Sequence, residues 1–312
     1  MNILINPVAL AAAPQWVIDL LSGGSVYTIA QELWNFVMGI AYTLMGKNVT
    51  SFTTPAINAI AQALGLGGNI GAWDYIKNTA FPLFLSMGAV FLNMFTLIGF
   101  CRQASNLKEG ITMEAWIELF IKLVVANILM TNCLDIMQEF TGFAITTTKV
   151  LLPKGVPTVI GGDYDAGFRL AMLMLAPIYL IISGVCSITV LIEILGRFLN
   201  LFMLMAVAPL ALSTLAGGRG LENSAIAWFK SFLTNALQII IIALVMQLCA
   251  GLNAGLTGMC NTGLLASWFD GAVAVILSLI FMPFMATAVK SSDNFLKLSL
   301  IHISEPTRRS YI

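Results

Sequence analysis

The 312-residue chain is 59% hydrophobic and 10% charged, with a formal net charge of zero. A soluble domain is about a quarter charged, so this chain has too few charges to cover a water-facing surface, and lipid must take the surplus apolar residues. Zero net charge also excludes a global field that would recruit nucleic acid or an anionic surface.

The N-terminus lacks the basic region of a secretory signal peptide, since the first lysine is Lys47, and none is expected. Residues 1–77 read as an amphipathic, interfacial helical region. In "VYTIAQELWNFVMGIAYTLMG", Val26, Ile29, Leu33, Phe36, Val37, Ile40 and Leu44 recur at helical spacing with Glu32 as the sole charge. That segment, Val26 to Gly46, either lies on the membrane or crosses it. "TTPAINAIAQALGLGGN" then offers Thr54 as a cap, Pro55 in the first turn and a glycine-rich stop.

Crossing a bilayer takes roughly 20 apolar residues, because the hydrocarbon core is about 30 Å thick. Charge-free runs satisfy this at Asn78–Cys101, Leu170–Ile192 and Phe198–Gly218. A longer uncharged run, Ser231–Phe269, is punctuated by "AGLNAGLTGMCNTG", which reads as a turn. One span is therefore expected to end near Ala250 and another to run from Leu264 to Val289. A sixth candidate, Ala115–Phe140, carries charges. Glu118 and Lys122 stand in the favourable order for a helical ion pair, and Glu114, Asn132, Asp135 and Glu139 share an arc of about 140° with them. Ile121, Val125 and Leu129 share that arc and interrupt the stripe, which in a span is expected to face protein or water. The alternative is a helix lying partly in the interface. Between these elements, Thr141–Phe168 contains Pro153, Pro157 and Gly161-Gly162, and it reads as a long functional loop. Lysine and arginine placement leaves the orientation open: the total favours a cytoplasmic N-terminus, whereas the charges flanking the first span favour the reverse.

No catalytic motif, cofactor fingerprint or metal-ligand spacing is present. "GLGGNIG" has Ile70 where a dinucleotide fingerprint needs its third glycine, and the five cysteines show no CxxC or Cys/His spacing. Gly251 and Gly255 form a GxxxG, which suits either close helix packing or a turn. Pro82, Pro177, Pro209 and Pro283 lie in or near apolar spans and are expected to bend them. The tail "LSLIHISEPTR", Leu298–Arg308, holds the only histidine, His302. It begins abruptly and looks like a translated sequencing-adapter scar, to be set aside before reasoning about fold. Without His302, acid–base and metal chemistry have even less support.

One constellation is more specific: "EILGRFLNLFMLMAVAPLALSTLAGGRGLENSAIAWFKSFL", Glu193–Leu233. Arg197 precedes a span and is expected to snorkel to the headgroups. Ala208-Pro209 bends that span, and Trp228, Phe229 and Lys230 open the next as an interfacial anchor. This arrangement resembles the TrbL-like family, the polytopic inner-membrane subunits of conjugative type IV secretion systems. The specific part covers some forty residues and the general plan most of the bundle. The resemblance implies a bacterial inner-membrane subunit that helps move DNA and protein, with other secretion subunits, ATPases and copies of itself as partners, and with a central loop on the outer face. Here that loop is rather basic, through Lys149, Lys154 and Arg169, which departs from the family.

The expected fold is an all-α polytopic integral membrane protein with five to six transmembrane helices plus N-terminal amphipathic helices. Its regions are 1–77, a bundle over 78–290 with the loop 141–168, a juxtamembrane tail 291–297, and the appended 298–312. The expected function is a non-enzymatic channel or scaffold subunit with no cofactor or metal. Arg197, Pro209, Trp228 and Lys230 are its motif residues, and Glu118, Lys122, Asp135 and Glu139 its polar membrane helix. The competing expectation is a secondary transporter, which would show midplane charges on several helices and an internal repeat.

Overall fold

The computed structural model describes residues 24–47, 49–52, 71–105, 113–152, 166–217, 220–261 and 272–304. The described residues form helices and turns. In chain order these are α1 (Gly24–Met45), a 3-10 turn (Val49–Ser51), α2 (Ala72–Tyr75), a π-turn (Ile76–Ala80), α3 (Phe81–Ser105), α4 (Met113–Leu151), α5 (Ala166–Ser213), a 3-10 turn (Thr214–Gly217), α6 (Glu222–Asn261) and α7 (Ala272–Ser304). The helix Thr54–Asn69 expected from the sequence, the core of the central loop and Leu264–Gly271 lie outside the described residues.

Among the described residues, four helical stretches are long and apolar enough to cross a membrane: Ala72–Arg102, Trp116–Leu151, Leu175–Gly217 and Glu222–Leu256. Only 17% to 39% of each apolar window is buried inside the chain. The remainder needs an apolar solvent, and the protein is a multi-pass α-helical membrane protein. Lipid also explains the choice of helix, since hydrocarbon cannot satisfy an open backbone. The same constraint acts on side chains. The hydroxyls of Thr96, Thr131, Thr141, Thr146, Thr147, Thr148, Ser187 and Thr189 all donate to carbonyls three or four residues earlier on their own helix.

Among the described residues this count is four, not the expected five to six. Leu170–Ile192 and Phe198–Gly218 are not separate spans, because α5 runs unbroken for 48 residues through Glu193 and Arg197. Gly196 lies between them, and one glycine costs only about 1 kcal/mol in a helix, too little to force a break. The expected turn after Ala250 is likewise helical: α6 continues to Asn261 through Gly251 and Gly255. Nothing stands within 4 Å of where a Cβ would sit on either glycine, so they mediate no close packing among the described residues. The central loop also starts later than expected, since α4 extends to Leu151 with its threonines bonded back to the helix. Within α7, Ile276–Ser292 is an apolar helical segment, and the start of the expected span Leu264–Val289 lies outside the described residues.

Helix termini follow dipole logic. Glu114 and Glu222 occupy the first turns of α4 and α6, and Arg102 and Lys149 the last turns of α3 and α4. The π-turn before α3 has a local cause. Pro82 has no N–H to offer, and the Phe81 N–H reaches back five residues to the Ile76 carbonyl.

The chain divides into two compact units, Met1–Met45 with Val150–Leu195 and Ile241–Asn294, and Gly46–Lys149 with Gly196–Ile240 and Phe295–Ile312. In the first unit, α1 buries Ala30, Trp34, Val37, Met38, Ala41 and Met45, and exposes Ile29, Phe36 and Ile40. Among the described side chains of the expected apolar stripe only Val37 is therefore buried, and the small and sulfur-bearing face points inward. The inverted pattern is what lipid contact produces, because outward residues gain from being large and apolar there. Along α5, Ile178, Ile181, Val185, Ile188 and Ile192 form a similar exposed stripe.

In the second unit, α3 lies against the turn Thr214–Gly217. Gly88 permits the approach: a Cβ there would stand 2.9 Å from the Pro209 carbonyl oxygen and 3.0 Å from the Met130 sulfur. Gly99 does the same toward the Ala216 carbonyl, at 3.1 Å. Small residues let backbones meet where no hydrophobic effect drives helices together. Phe52 is clamped between rings and backbone. Its ring meets Phe198 at 5.2 Å and Phe202 at 5.6 Å, and its carbonyl accepts the Trp73 N–H at 3.0 Å.

Candidate functional site

Both groups of residues singled out in the sequence fall in the second unit. The first is built on the C-terminal part of α5. Pro209 removes one amide from that helix, leaving the Met205 carbonyl without its usual partner. One residue earlier, the Leu204 carbonyl accepts the Trp228 indole N–H from α6 at 3.2 Å. Trp228 in turn stacks on Phe232 at 6.1 Å, and Phe232 meets Phe140 of α4 at 5.9 Å. The proline turn is thus braced by an indole on one side and by Gly88 on another.

One sequence expectation gains a partner and one changes here. Trp228, read as an interfacial anchor, also donates an intramolecular hydrogen bond. Arg197 is only 9% exposed, so its side chain is enclosed by protein and does not snorkel. Lys230 is exposed, away from the braced turn, and its carbonyl accepts the Thr234 hydroxyl at 2.8 Å. Of the four motif residues the structure therefore joins the Pro209 turn and Trp228, and leaves Lys230 outside.

Beside this turn runs a groove of about 350 Å³ lined by Phe91, Phe95, Val207, Leu210, Ala211, Thr214 and Ser224. Phe91 and Phe95 stack at 6.0 Å, and the Thr214 hydroxyl is satisfied by the Ala211 carbonyl at 2.7 Å. The groove is apolar and sized for a hydrocarbon chain or an aromatic ring. Sequence reading missed it, although Phe91 and Phe95 stand four apart on α3 and so share a face.

The second group is the polar stripe of α4. Lys122 Nζ lies 2.8 Å from Glu118 Oε1, the expected ion pair, with the carboxylate side chain 60% exposed. Asn132, Asp135 and Glu139 are also exposed, and the Asn132 amide donates to the Ile128 carbonyl at 2.9 Å. Asp135 and Glu139 follow the pair by about 20 Å or more along the helix, so the four residues share a side without forming one cluster. The stripe faces outward from the unit.

A further polar residue escaped the sequence reading. Gln238 of α6 is fully buried, and neither its amide oxygen nor its amide nitrogen has a partner. A single glutamine in "NALQIIIIAL" carries no spacing signal, so only the fold reveals it. Among the described residues, no group of three or more His, Cys, Asp and Glu side chains gathers. No protein-family model, curated protein or solved structure matches the chain.

Proposed function

We propose that this protein is a non-enzymatic channel or scaffold subunit of a conjugative type IV secretion apparatus in the bacterial inner membrane. The observation that carries the reading is the outward polar stripe of α4. Lys122, Asp135 and Glu139 sit in a stretch apolar enough to span, yet they face away from their own unit. A charge at the bilayer centre costs about 2.5–3.5 kcal/mol on insertion scales, so this face belongs against water or another polypeptide. Copies of the chain arranged with α4 inward would enclose a polar passage, and partner ATPases would supply the energy. The resemblance of Glu193–Leu233 to the TrbL-like subunits supplies the biological context.

A secondary transporter is the second reading, and Gln238 favours it, since transporters place unsatisfied polar groups inside the bundle. Deleting the gene decides between them. The secretion reading expects transfer of the mobile element to be abolished with growth unchanged. Normal transfer accompanied by a growth defect on a particular nutrient would favour the transporter.

A further inference from the structure

The groove in the second unit, beside the Pro209 turn, is walled in its depth by Phe91 and Phe95 of α3 and by Val207, Leu210 and Ala211 of α5. The Thr214 hydroxyl is spent on the Ala211 carbonyl, so the polar group left in the lining is Ser224, at the exposed start of α6. Water in the depth would lack the polar partners that hold a buried water. An empty groove of about 350 Å³ is no better, because both walls would forfeit packing contacts.

The surroundings of the groove select what fills it. Turning about α3, Gly88 and Gly99 face the end of α5 and its turn, Phe91 and Phe95 follow, and the exposed Met87 and Met94 come next. On α5, the exposed Leu199 and Met203 lead in steps of four to Val207 and Ala211. Both walls therefore run without a break from lipid-facing surface into the groove. Its other end, at Thr214 and Ser224, lies at the turn between two spans, where a multi-pass chain meets the headgroups. From Thr214 back to Met203 is about 16 Å along the helix, close to the roughly 15 Å hydrocarbon depth of one leaflet.

We propose that this groove is a retained phospholipid site. One acyl chain of a bilayer phospholipid enters at the mouth by Thr214 and Ser224 and packs between the Phe91–Phe95 stack and α5. An alkyl chain fits better than a ring-bearing ligand such as a quinone. Ring ligands are oriented by a few placed polar groups, and the depth of the groove offers none. Held on two sides by protein, the chain supports the same two helices that Gly88 brings together. The inference needs only lipid as the solvent and stands apart from the secretion reading.

The test uses the full chain reconstituted in phosphatidylcholine vesicles that contain a trace of phosphatidylcholine with a diazirine in one acyl chain. The protein is extracted into detergent, washed and then illuminated, so that only retained lipid is captured, and labelled residues are mapped by mass spectrometry. Label is expected at residues 91–95 and 207–214, and its absence is expected along the exposed α5 stripe at 181–192. Equal labelling of groove and stripe, or an unlabelled groove, overturns the proposal. Ala211→Phe fills the groove from a half-buried wall and is expected to abolish the groove label. Label that persists in the folded variant overturns the site. If that variant does not fold, the label map of the parent decides by itself.

Discussion

Gly88 and Gly251 show how differently one residue type can be used in the same chain. At Gly88 a methyl group would meet the Pro209 carbonyl carbon and oxygen, neither of which can turn aside. Gly88→Leu is expected to lower the thermal midpoint in detergent by an amount equivalent to about 1–3 kcal/mol, the usual cost of overpacking. Gly220 is constrained by backbone instead, with φ at 101°, and Gly220→Ala should destabilise by about 1 kcal/mol in the same measurement. Trp228→Phe keeps most of the ring and removes one hydrogen bond, so a loss of about 0.5–1.5 kcal/mol is expected. None of these roles was legible from the residues alone. A glycine more than a hundred positions before a proline and a tryptophan announces no contact with them, and Trp228 satisfies the grammar of a membrane-interface anchor as well as that of a brace.

At the scale of elements, legibility followed charge. Arg102 closes a charge-free run, and Glu118 with Lys122 stands four apart on one turn of helix, so α3, α4 and the ion pair could be read directly. The same reliance on charge misled at Glu193–Arg197, where two ionised residues looked like an interface and lie inside a continuous α5. It misled again at Gly251 and Gly255, where glycines in a polar-tinged stretch imitate a turn. The helical assignment there has a direct check. Gly251→Ala and Gly255→Ala should each stabilise the protein by about 0.5–1 kcal/mol, because alanine is the better helix former and the space beside both is open. A turn with positive φ would give the opposite sign. For α4, cysteines placed at Asp135 and Glu139 are expected to react with a membrane-impermeant maleimide in assembled membranes. A cysteine at Val90, on the exposed apolar side of α3, is expected to remain protected.

For the whole molecule, the fold class was readable from composition because it is a statement about solvent: a chain that leaves most of its apolar windows uncovered requires lipid wherever the helices pack. The number of crossings was not, since that depends on which apolar runs share one rod. The length of α5 carries a consequence of its own. At 1.5 Å per residue its 48 residues extend about 72 Å, whereas a bilayer with its headgroups measures about 40–45 Å. The hydrocarbon core takes up only about 20 of those residues, so more than half of the helix has turns that must find headgroups, water or protein as their surroundings. Lengthening the acyl chains of the host membrane should draw some of those turns into hydrocarbon, so the accessibility of residues along α5 becomes a gauge of membrane thickness.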